Sequence, residues 1–253
     1  MVSDNLEALY EKLPSGVKLV AVSKFHPVER LMEAYDAGQR LFGENRPQEL
    51  AAKVPQMPAD VEWHFIGHLQ TNKLKLVLPY VSLVQSVDSF HLLEAIDKWG
   101  RDNDKVVDIL LELHLGAEET KHGFSEEDIL LCCGRAPSET LRSQSDLRPS
   151  HEWAPPSIVP RVAQVSEDAL PPLENVRIRG LMGMATNTED EGVIEADFAR
   201  IEALFKRIRA EHPELAETFT ELSIGMSGDW PLAVRHGATM VRIGTDIFGP
   251  REY

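Results

Sequence analysis

The feature that most restricts this chain is an alternation. Eight short runs of strand character recur along it, and a helix-like stretch separates each from the next. The runs fall at residues 17–24, 41–45, 63–67, 83–88, 106–115, 178–186, 221–227 and 240–249. Several are apolar almost throughout, as strands covered on both faces are. Helices read at 28–38, 46–53, 70–77, 90–99, 126–133, 189–211 and 229–236. Pro27 opens the first and Gly38 closes it, and Ser89 and Ser125 stand where N-caps belong. Phe198, Ile201, Leu204, Phe205 and Ile208 mark one face of the longest.

Eight such units in 253 residues predict an α/β chain folded as a single (β/α)8 TIM-type barrel. A doubly wound open sheet competes, but no strand–helix junction reads GxGxxG. No helix is expected after strand eight. An additional N-terminal helix at 4–13, with Leu6, Leu9, Tyr10 and Leu13 on one face, is placed to close the outer ring instead. One barrel domain over 1–253 is therefore expected, with nothing left over for a second. The rhythm breaks only at 137–173, which holds seven of the sixteen prolines and six serines. A solvated insertion is expected there rather than a lid.

Charge and composition exclude several functions. With 26 Lys+Arg against 41 Asp+Glu the net charge is −15, which argues against nucleic acid and against an anionic membrane surface. No apolar run reaches the ~18 residues that a membrane span needs. The N-terminal stretch carries early acids and does not read as a secretory leader. Two adjacent cysteines, Cys132 and Cys133, suggest neither a disulfide nor a metal site and fit a reducing, cytoplasmic location.

Barrel enzymes place their chemistry at the C-terminal ends of the strands. Those ends carry Lys24, Glu44, Asn45, His64, Gly67, Asp88, the 184–186 stretch, Ser227, Gly228, Gly244 and Thr245. Barrels commonly bind phosphate in the loops after strands seven and eight. Here those loops offer Ser227-Gly228-Asp229 and Gly244-Thr245, with glycine amides and hydroxyls as donors. The alternative is a pair of ordinary turns, with Ser227 as an N-cap. Lys24 ends an apolar strand. It reads either as an amine activated by apolar surroundings or as a terminal lysine with its head in water. A lysine and a phosphate pocket in one mouth suit a phosphorylated aldehyde, and pyridoxal 5'-phosphate (PLP) is the obvious candidate. Arg242, two residues before Gly244 and on the same face, is placed to donate to a pyridine nitrogen. That would weaken the ring as an electron sink. An interior ion pair with Glu44 or Asp88 is the other reading of Arg242.

These residues lie in segments that resemble the YggS/PROSC family of PLP homeostasis proteins. The segments are AVSKFHP (21–27), FGENRPQE (42–49), WHFIGHLQTNK (63–73), TKHGF (120–124), RGLMGMAT (179–186), LSIGMSGDWPLAVRHGATMVRIGTDIFG (222–249) and the terminal PREY. The resemblance implies a barrel like the N-terminal domain of alanine racemase, with PLP held as a Schiff base on Lys24. It matches Ser227, Gly244 and Thr245 to phosphate contacts and Arg242 to the residue at the pyridine nitrogen. Asn45 and His64 are matched to motifs lining the same mouth, and Lys121 to a lysine of a substrate-side loop. Two departures stand out: the length of 137–173, and Arg46-Pro47 in place of an aromatic-containing stretch.

The family is regarded as non-catalytic, serving intracellular vitamin B6 homeostasis and supply, with PLP-dependent apo-enzymes as partners. An amino-acid racemase of the alanine racemase type is the alternative. That reaction needs a second acid/base, and the racemases take a tyrosine for it from a C-terminal domain. Here such a domain is expected to be missing. Tyr10, Tyr35, Tyr80 and Tyr253 all lie away from the strand ends. A monomer is expected rather than an oligomer.

Overall fold

Strands that are apolar on both faces bury themselves only if helices cover one side and the sheet curls over the other. A computed structural model, describing residues 1–116, 123–134 and 172–250, has this arrangement. The strands are β1 Lys18–Val22, β2 Leu41–Glu44, β3 Glu62–Phe65, β4 Leu83–Val87, β5 Val107–Leu113, β6 Val176–Gly183, β7 Glu221–Ser223 and β8 Met240–Ile243. All neighbours are parallel, and β8 pairs with β1 to close the barrel in sequence order. The helices are α1 Val2–Lys12, α2 Val28–Asp36, α3 Pro47–Lys53, α4 Phe90–Asp102, α5 Glu126–Gly134, α6 Glu191–Glu211, α7 Trp230–Arg235 and α8 Thr245–Phe248.

Alternation divides each strand between two cores. Outward residues such as Leu19, Phe42, Phe65, Val84, Ile109 and Val241 pack under the helices in the main core. Inward residues Val20, Leu83, Leu110, Met182 and Met240, with Leu41 beside them, form a small apolar layer inside the barrel. The N-terminal helix is present, and α1 packs against α2 and α8 as the outer-ring reading requires. Asn5 Nδ2 donates to the Ile247 carbonyl at 3.0 Å across that contact.

Three expectations are corrected. A helix does follow strand eight: the backbone leaves extended geometry at Gly244 (φ −120°, ψ −65°). The amides of Ile247 and Phe248 then turn back to the Gly244 carbonyl at 3.0 and 2.9 Å. Burial of Ile247 and Phe248 rewards this turn more than further extension. Strand seven stops at Ser223, because Gly225 takes a left-handed φ of +94°. Between β3 and β4 the helical stretch is a tight 3-10 segment, Thr71–Leu76, without a side-chain cap. The 137–173 segment lies outside the described residues except for its last two.

Candidate functional site

Lys24 stands two residues past β1 in a turn whose flanks are fixed from outside the barrel. The Ser23 amide donates to the Gly43 carbonyl (3.0 Å), extending the β1–β2 pairing, so that Lys24 and Asn45 emerge on adjacent strands. The Ser23 hydroxyl donates to Glu44 Oε1 at 2.7 Å. Lys53 of α3 reaches the same oxygen at 2.6 Å, the Ser23 carbonyl at 3.0 Å and Glu49 Oε2 at 3.3 Å. Glu49 Oε2 in turn accepts from the Phe25 amide at 3.0 Å, where the backbone is left-handed (φ +67°). Glu44 is wholly buried, and burial pushes its carboxyl up against the opposing pull of Lys53. These contacts hold the residues on either side of Lys24.

The loops after β7 and β8 meet beside it. The Arg242 amide donates to the Gly225 carbonyl at 2.9 Å, which ties the segment after β7 to β8, and the half-buried Ser227 pulls the Asp246 carboxyl down against the upward push of burial. Gly244 lies flat against β1: a Cβ there would stand 3.2 Å from the Val22 carbonyl oxygen. Thr245 is exposed and opens α8, and the first amides of a helix have no acceptor within it. At the far end of α8, Phe248 stacks on His26 with centroids 4.7 Å apart, and its carbonyl accepts from Arg30 at 2.9 Å. The turn carrying Lys24 and the turn carrying Gly244 and Thr245 are thus one connected structure.

Arg242 lies below them, inside the barrel and nearly inaccessible. Nη1 donates to the carbonyl and the hydroxyl of Ser223, both at 2.7 Å, and Nη2 to the Gly183 carbonyl at 2.8 Å. Three of five N–H groups are thereby engaged; one on Nη2 and the one on Nε have no acceptor among the described residues. No carboxylate among the described residues forms an ion pair with it. Burial pulls its pKa down to about 10, opposed by the charges of Glu112 and Asp229. Glu112, buried on the inner face of β5, is pushed up to about 7 by burial and by Asp88, against the pull of Arg242.

Asn45 sits half-buried at the end of β2 with its Oδ1 buried and unpartnered among the described residues. Gly67 permits this packing, since a Cβ there would come within 2.3 Å of the Asn45 carbonyl oxygen. His64 does not join the mouth. It lines a cavity of about 170 Å³ at the opposite end of the barrel, with Lys18, Glu62, Asp108, Arg179 and Glu221. Barrel strands tilt, so residues in register on neighbouring strands descend around the axis. Burial, with Lys18 adding to it, holds the His64 pKa down at about 3. Lys121 lies outside the described residues. Sequence reasoning missed Ser223, Gln85, Glu112 and Lys53. For Ser223, Gln85 and Glu112 the visible signal was a polar residue inside an otherwise apolar strand, as in LVQSV and DILLEL.

The mouth therefore gathers Lys24, Asn45, Ser227, Gly244 and Thr245 over a buried guanidinium. Two comparisons define the class and then the family. The family model of the alanine racemase N-terminal domain matches residues 1–142, which makes the chain a barrel of that type. It belongs to the pyridoxal phosphate homeostasis protein family. Proteins of that name from Vibrio alginolyticus (32% identical) and Pasteurella multocida (34% identical) cover 96% and 94% of this chain and 90% and 88% of their own lengths. PipY of Synechococcus elongatus, 33% identical, covers 98% of this chain and 100% of its own. Its structure without PLP superposes with a TM-score of 0.79, and its structure with PLP bound with 0.76. Among the described residues no helix is long and apolar enough to cross a membrane.

Proposed function

We propose that this chain holds PLP at the barrel mouth and serves PLP homeostasis without turning over an amino acid. The carrying observation is the buried Arg242, fixed by β6 and β7 with two N–H groups left without acceptors. A pyridine nitrogen is an acceptor of the kind that such a group lacks. Asn45 Oδ1 is a second buried polar atom at the same mouth without a partner among the described residues. The relative solved with PLP bound supports the choice of ligand.

When bound, PLP supplies an aldehyde that condenses with a primary amine and a ring that can delocalise negative charge. Lys24 contributes the amine, held in place by the Ser23–Glu44–Lys53 cluster. Ser227, Gly244 and Thr245 contribute hydroxyls and amides to the phosphate, which needs no surplus of positive charge. Arg242 donates to the pyridine nitrogen while remaining protonated, so that nitrogen stays unprotonated and the ring a weak electron sink. That favours holding over carbanion chemistry. Of the tyrosines that the racemase reading could draw on for its second acid/base, Tyr10 is bonded to Gln39 and Tyr35 to Asp60.

Borohydride reduction of the PLP-loaded protein followed by peptide mapping is expected to place the label on Lys24. A Lys24→Ala protein is expected to lose the visible absorption of bound PLP. Retention of that band would refute the assignment. Incubation with single amino-acid enantiomers in deuterated water is expected to give no sustained Cα exchange; many turnovers would defeat the carrier reading. Transfer of bound PLP to a PLP-dependent apo-enzyme, against a free-PLP control, tests the supply role.

A further inference from the structure

A directed chain of hydrogen bonds runs from Arg242 to the far side of the barrel. Arg242 donates to the Ser223 hydroxyl (2.7 Å), and that hydroxyl donates to Gln85 Oε1 (2.7 Å). Gln85 Nε2 stands 2.8 Å from His64 Nδ1 and 3.0 Å from Met240 Sδ. An amide nitrogen only donates, so His64 Nδ1 accepts and the imidazole carries its proton on Nε2, toward the cavity at the barrel floor. All four residues are buried.

The direction of the chain depends on its last member. With a lone pair on His64 Nδ1, Gln85 must turn its NH2 toward the ring and its carbonyl toward Ser223. Ser223 has a single proton and gives it to that carbonyl, so its lone pairs face the guanidinium. Were Nδ1 to carry a proton, the Gln85 amide would reverse. Ser223 would then meet donors on both sides, leaving its own proton without that acceptor. A reversed or broken network inside a barrel is costly, because each buried group left unpaired keeps its desolvation penalty.

We infer that His64 is a positioning residue for Arg242, acting through Gln85 and Ser223 to hold the guanidinium against β6 and β7 so that its remaining N–H groups face the cofactor. The inference rests on the reading above that Arg242 meets the pyridine nitrogen. The groups facing His64 across the floor cavity are Lys18 on β1, Glu62 on β3, Asp108 on β5, Arg179 on β6 and Glu221 on β7. Lys18 disfavours a second proton on the ring, and burial disfavours it more, so the accepting form is kept across the neutral range.

The test compares PLP affinity and the visible absorption of the PLP-loaded protein between pH 6 and 9 in four proteins: the unaltered chain, His64→Leu, His64→Asn and Arg242→Lys. His64→Leu removes the acceptor and is expected to weaken PLP about five- to tenfold, the range for one lost internal hydrogen bond. It should also move the absorption band in the same direction as Arg242→Lys. His64→Asn keeps an acceptor oxygen near the position of Nδ1 and is expected to restore both readouts, which a filled cavity alone would not do. A folded His64→Leu protein with unaltered affinity and band would overturn the inference, as would a folded His64→Asn protein that behaves like His64→Leu. If Arg242→Lys itself changes neither readout, the fault lies with the placement of Arg242 at the pyridine. Should His64→Leu not fold, the nitrogen-15 shifts of His64 in the unaltered holoprotein decide: an unprotonated Nδ1 between pH 6 and 8 supports the chain, and a protonated one refutes it.

Discussion

Glu112 carries a prediction about stability whose sign runs against the usual carboxylate case. It lies on the inner face of β5 at 7% exposure, and burial with the repulsion of Asp88 raises its pKa from 4.5 to about 7. In the unfolded chain it ionises near 4.5. Between these values the folded state binds a proton that the unfolded state has lost, so stability falls as pH rises through the interval. One proton is worth about 1.36 kcal/mol per pH unit, and roughly 2.5 kcal/mol accrues between pH 5 and pH 8. Glu112→Gln keeps the shape and removes the titration. The stability of Glu112→Gln relative to the unaltered protein should therefore improve by about 2.5 kcal/mol from pH 5 to pH 8. Urea denaturation of both PLP-free proteins at the two pH values measures it, and contributions from His64 and the other titrating groups cancel in the difference. A gap that stays constant, or narrows toward pH 8, would show that Glu112 titrates in the ordinary range and that the interior near Arg242 is well hydrated.

Two further outcomes follow from residues outside the mouth. Lys53→Met leaves the Glu44 carboxylate buried without its cation and is expected to cost about 3–5 kcal/mol in urea or thermal unfolding. Adding Glu44→Gln should recover a substantial part, and a double variant no better than the single one would mean that the pair does not act as a unit. Gly180 has a φ of +151°, and a Cβ there would stand 1.7 Å from the Glu221 carbonyl oxygen. Gly180→Ala is expected to lose at least about 4 kcal/mol by forcing β6 away from β7, and a near-neutral result in the same assay would refute the close approach.

Apolar runs bounded by glycine, proline and cap residues were enough to locate every strand of the barrel. What they could not give was where a strand yields to a turn, because that depends on tertiary burial. Thr245–Phe248 reads as the continuation of a strand but turns helical so that Ile247 and Phe248 can pack beside α1. Lys24, Gly244 and Thr245 were legible as mouth residues because strand ends define the mouth. His64 was not placed correctly, since alternation fixes which face a side chain takes but not its depth along a tilted barrel. Ser223 and Gln85 lay in plain view as polar residues in apolar strands. Their partnership joins β4 to β7 across the interior, and no local pattern encodes such a contact.

The closure of the barrel has a consequence for synthesis. Lys24 belongs to the first strand and Gly244 and Thr245 follow the last, and they come together only where β8 docks against β1, under the His26–Phe248 stack. A ribosome must therefore deliver the chain from β1 through Thr245 before the proposed pocket has both of its halves. A chain stalled before β8 would carry the proposed Lys24 amine without the proposed phosphate contacts of Gly244 and Thr245. Capture of the proposed cofactor would then report that β8 has closed on β1.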